Sequence, residues 1–181
     1  MSDTLDEKRP TRGDARRDAI VQAARKVCLE KGFSKITVSD IASVADAVLD
    51  NVIDEILTTL KQWNQARETG NVNKALDDIV HVLRSLIADE SPFSNRMIQD
   101  GNAELYIKFI DRAADRIADY IAQTTVRDFE QMHGLPITNV HETFFTLIVG
   151  LISLIRSHPN ISDRTIKEVM AQTLHIESYV V

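Results

Sequence analysis

Apolar positions recur along this 181-residue chain at the three-and-four spacing of helices, almost from end to end. Ile20, Ala23, Ala24, Val27 and Cys28 fall at i, i+3, i+4, i+7 and i+8, one face of a helix that begins near Asp14. Gly32 supplies a left-handed stop after Lys31, and Phe33 is the apolar residue that tucks back behind such a cap. Thr37 and Asp40 make a capping pair for a second helix, with Val38, Ile41, Ala42 and Ala45 on its apolar face. The pattern does not stop there. Val48, Leu49, Val52, Ile53, Ile56, Leu57, Leu60 and Trp63 carry it to about Ala66. The segment 67–73 reads as a turn. A further helix is predicted from Lys74 to Ala88, with Leu76, Ile79, Val80, Leu83, Leu86 and Ile87 inward and residues 88–94 ending it. A long amphipathic stretch from Asn102 to Met132 comes next, marked by Leu105, Tyr106, Phe109, Ile110, Ala113, Ile117, Tyr120, Ile121 and Phe129. Gly134 and Pro136 close it. Asn139–Ser157 is apolar on more than one face. Ser162 caps a last helix with Ile166, Val169, Met170 and Leu174 on one side. No strand alternation, internal repeat or low-complexity tract interrupts this, so the predicted fold class is all-α.

Composition narrows the function classes. One cysteine, Cys28, leaves no disulfide framework and no multi-cysteine zinc site. It sits on the apolar face of the first helix and reads as core. The longest apolar run, Phe144–Ile155, falls short of the ~20 residues that span a bilayer. The first residues have no apolar signal region. Together these lead us to expect a cytoplasmic protein with no membrane partner. The five histidines (81, 133, 141, 158, 175) show no i, i+4 pairing. No nucleophile elbow or glycine-rich phosphate loop is present. We therefore expect no catalysis, no metal and no cofactor.

The formal net charge is −6, but it is distributed unevenly. Residues 8–35 hold nine basic side chains and three acidic ones, a net +6. Residues 36–60 hold five acids (Asp40, Asp46, Asp50, Asp54, Glu55) and no Lys or Arg. A basic arm gives phosphate affinity by counterion release; an acidic stretch beside phosphate opposes it.

The segment Arg16–Ala45 resembles the start of the TetR family of bacterial transcription regulators. RRDAIVQAARKVCLEKGF is similar to the family's first helix and its glycine stop. KITVSDIASVA is similar to the second, with Thr37, Val38, Ile41, Ala42 and Ala45 in register. The resemblance implies an N-terminal helix-turn-helix unit over residues 1–45 and a helical effector-binding and dimerisation domain over 46–181. It implies a homodimer whose DNA heads, ~34–36 Å apart, match successive major grooves, with their spacing biased by a small apolar effector. It places DNA-backbone contacts at Arg12, Arg16, Arg17, Lys35, Thr37 and Ser39. After Ala45 the sequence departs from the family. DAVLDNVIDEILTTL has no turn glycine, no tyrosine pair and no lysine. Aligned without a gap, its reading helix is acidic. Aligned with one, the reading helix is missing and VLDNVIDEILTTL matches the family's next, long helix. The gapped alignment fits better, because the apolar spacing runs unbroken into Trp63.

The resemblance implies the first of two functions, transcriptional regulation, and the second is its alternative. One is a ligand-responsive DNA-binding regulator. The other is a TetR-like ligand- or protein-binding module that has lost DNA reading. In either, Trp63, Tyr106, Phe109, Tyr120 and Phe144 are candidates for an effector pocket, with plain core as the competing reading. The surplus apolar surface near the C-terminus proposes Phe145, Ile148, Leu151, Ile152, Ile155, Ile166, Val169, Met170 and Leu174 as a two-fold dimer interface.

Overall fold

The computed structural model describes residues 20–24, 38–99 and 103–180. Among them every regular element is helical. Residues 20–24 are helical. Beyond them lie six α-helices: α1 (Val38–Ala66), α2 (Val72–Gln99), α3 (Ala103–Ile121), α4 (Arg127–His133), α5 (Val140–Ser157) and α6 (Asp163–Thr173). A π-helical turn, Ala122–Val126, joins α3 to α4, and a 3-10 turn, Glu177–Tyr179, ends the chain's described part. The all-α class read from the periodicity is what the structure has.

The chain divides into two compact units between Glu55 and Ile56. The boundary expected at 45/46 falls inside α1, which is continuous there. In the first unit Leu49, Val52 and Ile53 are buried, at i, i+3 and i+4, while Asp46 and Asp54 are exposed. Ile20, expected on an inward face, is 44% exposed.

The second unit is built on α3 and α5, which lie against each other along their lengths. Ala113, Ala114 and Ala118 of α3 are buried, and so are Leu147, Ile148, Leu151 and Ile155 of α5. Small residues on one helix let the large ones of the other approach closely. α2 packs on α3, α5 and α6, and buries Leu76, Ile79, Val80 and Leu86. It runs further than the sequence suggested, through Pro92 to Gln99. Proline inside a helix removes a backbone donor and crowds the carbonyl four residues back, yet the helix continues past Pro92.

Polar links fix the order of these helices. Asn71 caps α2, its Oδ1 accepting from Lys74 N at 3.1 Å. Ser162 caps α6 as predicted, accepting from Thr165 N at 3.1 Å. Arg84 of α2 donates to the Ile161 carbonyl and pairs with Asp163 at the start of α6. Lys167 of α6, 8% exposed, reaches Asp77 of α2 at 2.7 Å. His141 Nε2 of α5 lies 3.3 Å and 3.5 Å from carboxylates of Asp115 and Asp119, one turn apart on α3.

α5 is long and apolar enough to cross a membrane by length and composition, with a mean hydropathy of 1.4 over 18 residues. Four of its apolar residues, Leu147, Ile148, Leu151 and Ile155, are buried within the chain, and the others keep part of their surface. Ile148, Leu151 and Ile155, all expected at a dimer interface, are buried against neighbouring helices, as are Ile166, Met170 and Leu174. Phe145, Ile152 and Val169 are the expected interface residues that keep surface, each half-buried.

Candidate functional site

The second unit contains a cavity of about 130 Å³ that opens to solvent on one side. Its wall is assembled from six places in the chain. Trp63 comes from the end of α1 and Arg67 from the residue just beyond it. Val72, Ala75, Leu76 and Ile79 come from the first turns of α2. Ile121, Thr125, Val126, Phe129 and Met132 come from α3, the π turn and α4. Leu135, Pro136 and Ile137 close it from the adjoining loop, Phe144 from α5, and Met170, Leu174 and Ile176 from the C-terminal end.

Local sequence explains part of the wall. Val72, Ala75, Leu76 and Ile79 stand at i, i+3, i+4 and i+7, one helical face. The π turn adds one residue to the helical path and so re-aims α4 relative to α3; such insertions are frequent at functional sites. Thr124 Oγ1 donates to the Tyr120 carbonyl at 2.7 Å across this turn. Val126 and Thr125 then face the cavity. Gly70 and Gly134 have φ of 88° and 75°. This left-handed backbone, cheap only for glycine, turns the chain back at each side of the cavity. The end of the chain is held over the same region by rings. Tyr179 packs edge-on to Phe129 at 5.5 Å and lies 4.7 Å from the His133 ring.

Most polar side chains of the wall are spent on one another, the Trp63 indole excepted. Arg67 Nε donates to Asn64 Oδ1 at 2.8 Å, and Arg67 Nη2 pairs with Asp128 of α4. Thr125 Oγ1 donates to the same Asn64 oxygen at 2.9 Å. The Arg67 side chain is 6% exposed, so its charge is buried and matched. Asn71 Nδ2 donates to Glu68 at 3.1 Å on the outer rim. Trp63 Nε1 is buried and meets no acceptor among the described residues. The interior that is left is apolar.

Trp63 and Phe144, two of the five expected pocket aromatics, line the cavity. Tyr106, Phe109 and Tyr120 stand elsewhere in the unit. Phe109 is 3% exposed, in the core. The Tyr106 hydroxyl accepts from Arg156 Nη1 at 2.6 Å, with the guanidinium 5.3 Å above its ring. Tyr120 is half-buried beside the π turn. Conversely Met170 and Leu174, expected at a dimer interface, line the cavity. The α2 face was visible as a helical stripe, but nothing in one stripe says which neighbour it fails to touch. The loop 135–137 carried no such signal.

The expected DNA-backbone positions Arg12, Arg16, Arg17, Lys35 and Thr37 lie outside the described residues, as does the side chain of Ser39. Beyond Val38 the structure has one unbroken helix to Ala66, with no turn and no separate helix after the second. Asp46, Asp50, Asp54 and Glu55 are carried on that helix. Among the described residues no group of three or more His, Cys, Asp or Glu is arranged to hold a metal ion. Comparison with known family models, curated proteins and solved structures finds no match to this chain.

Proposed function

We infer that this chain is a dimeric, TetR-like module that binds a small molecule in its C-terminal helical unit and does not itself read DNA sequence. The observation that carries the reading is the apolar cavity bounded by Trp63, the α2 stripe and the π turn. Apolar clefts with few, fixed polar groups are the usual form of a small-molecule site. The unbroken α1 weighs against direct base readout. A helix-turn-helix needs a second helix, set at an angle, to enter the major groove. Here the residues that would form it continue α1 and bring acids. For dimerisation, α5 offers a strip in which Phe145, Val149 and Ile152 are half-buried and Thr146, Gly150 and Ser153 are exposed.

A ligand-responsive, DNA-binding regulator is the second reading, and one observation favours it: the +6 charge of residues 8–35. Binding to DNA from the chain's own promoter region, measured at two salt concentrations against competitor DNA, separates the two. Weak binding that salt and competitor abolish is expected. Sequence-specific binding at physiological salt would overturn the first reading. Size-exclusion chromatography with light scattering tests the dimer; a monomer at micromolar concentration refutes it.

A further inference from the structure

We propose that the cavity of the second unit selects an uncharged, hydrocarbon-like molecule of roughly six to ten heavy atoms, and rejects the corresponding carboxylate. This rests on the ligand-binding reading above and adds the ligand's class. The size comes from the volume: an apolar cavity near 150 Å³ is large enough for a benzene ring, and this one is about 130 Å³. The charge selection comes from Arg67. It is the cation of the wall, and a carboxylate ligand would need it. Its Nε is committed to Asn64 and its Nη2 to Asp128, and the side chain is 6% exposed. A carboxylate entering against this apolar wall would therefore give up part of its hydration and find the guanidinium already neutralised. An anion that exchanges water for apolar surface without gaining a partner is disfavoured. The other polar groups add no open anchor. Thr125 is turned to Asn64, and the Trp63 N–H is enclosed in the wall. An apolar molecule meets no such cost, since it fills space bounded by Leu76, Ile79, Phe129 and Phe144.

Trp63 is the chain's sole tryptophan, so its fluorescence reports on this wall alone. The test titrates the full chain with three molecules of one skeleton that do not absorb with tryptophan: methylcyclohexane, cyclohexanol and cyclohexanecarboxylate. Saturable change of Trp63 emission is expected with methylcyclohexane. Cyclohexanecarboxylate is expected at least tenfold weaker at neutral pH. Ala75→Leu, which adds bulk to the cavity, should weaken methylcyclohexane by tenfold or more. Circular dichroism confirms that this variant stays helical; if it does not, Val72→Ile takes its place. The decisive variant is Asp128→Asn, which removes the negative charge that neutralises Arg67. It should bring the carboxylate to within a few-fold of methylcyclohexane without tightening methylcyclohexane itself. Equal or tighter binding of the carboxylate to the unaltered chain overturns the proposal and leaves the ligand site standing. So does an Asp128→Asn variant that still rejects it. Silence of Trp63 toward all three molecules overturns the ligand-binding reading as well.

Discussion

Truncating Leu76 separates a side chain that borders a cavity from one that is enclosed on every side. Leu76 is 6% exposed and forms part of the cavity wall; Leu60 is 2% exposed and does not. Leu→Ala removes three carbons, worth about 2.4 kcal/mol at ~0.8 kcal/mol per buried methylene. A further term scales with the new void, at ~24 cal/mol per Å³ in a well-packed core. Leu76 already lacks partner atoms on its cavity side, so it forfeits fewer dispersion contacts. Leu76→Ala should cost about 3 kcal/mol, and Leu60→Ala about 4 kcal/mol. Urea unfolding monitored by Trp63 fluorescence and circular dichroism measures both, provided the two probes coincide. The same experiment repeated with methylcyclohexane at ~100 times its dissociation constant should return about 2.7 kcal/mol to the unaltered chain. If Leu76→Ala costs as much as Leu60→Ala, or more, the wall is closed at that point and the cavity argument fails there. A cost under ~1 kcal/mol would mean that Leu76 is not packed at all.

Three other outcomes rest on single contacts. Ser162→Ala removes the cap of α6 and should cost about 1 kcal/mol, while Ser162→Asp retains most of it; thermal unfolding of both checks this, and equal losses would refute the capping role. Lys167→Met keeps the buried stem and gives up the pair with Asp77, whose carboxylate is 54% exposed and can rehydrate. It should therefore cost under ~1 kcal/mol, against about 2 kcal/mol for Lys167→Ala; the reverse order in urea unfolding would show that the charge, not the stem, is what α6 needs. The Lys108 hydrogen bond, aided by its charge, holds the Glu104 carboxyl below its ordinary 4.5. A carboxylate depressed on folding contributes stability above its unfolded value and loses it as pH falls through the folded one. Lys108→Ala should raise the Glu104 midpoint toward 4.5 in an NMR titration, and an unmoved midpoint would refute the pairing.

The sequence by itself determined the elements. The 3.6-residue spacing of apolar side chains is a property of each segment alone, so helices over 38–66, 103–133, 140–157 and 163–173 were legible from it, as was the Ser162 cap. The continuity of α1 was legible for the same reason. No glycine or proline stands between Val38 and Ala66, and the stripe never changes face. Where local signals conflicted, the pattern misled. Pro92 suggested an end to α2 that the helix does not respect. The π turn at 122–126 is one inserted residue in a periodic pattern, too small to show.

Tertiary structure decided what each apolar face meets. The surplus on α5 and α6 suggested a second chain, yet six of the nine residues named for it are buried in the first. An apolar side chain carries the same signal whether it fills a core, lines a cavity or waits for a partner. Trp63 and Phe144 came to the cavity, and Phe109 to the core, because of where helices distant in sequence cross. The neutrality of the cavity was equally invisible. It depends on Arg67 finding Asp128, 61 residues away, and only the folded chain brings that carboxylate to it.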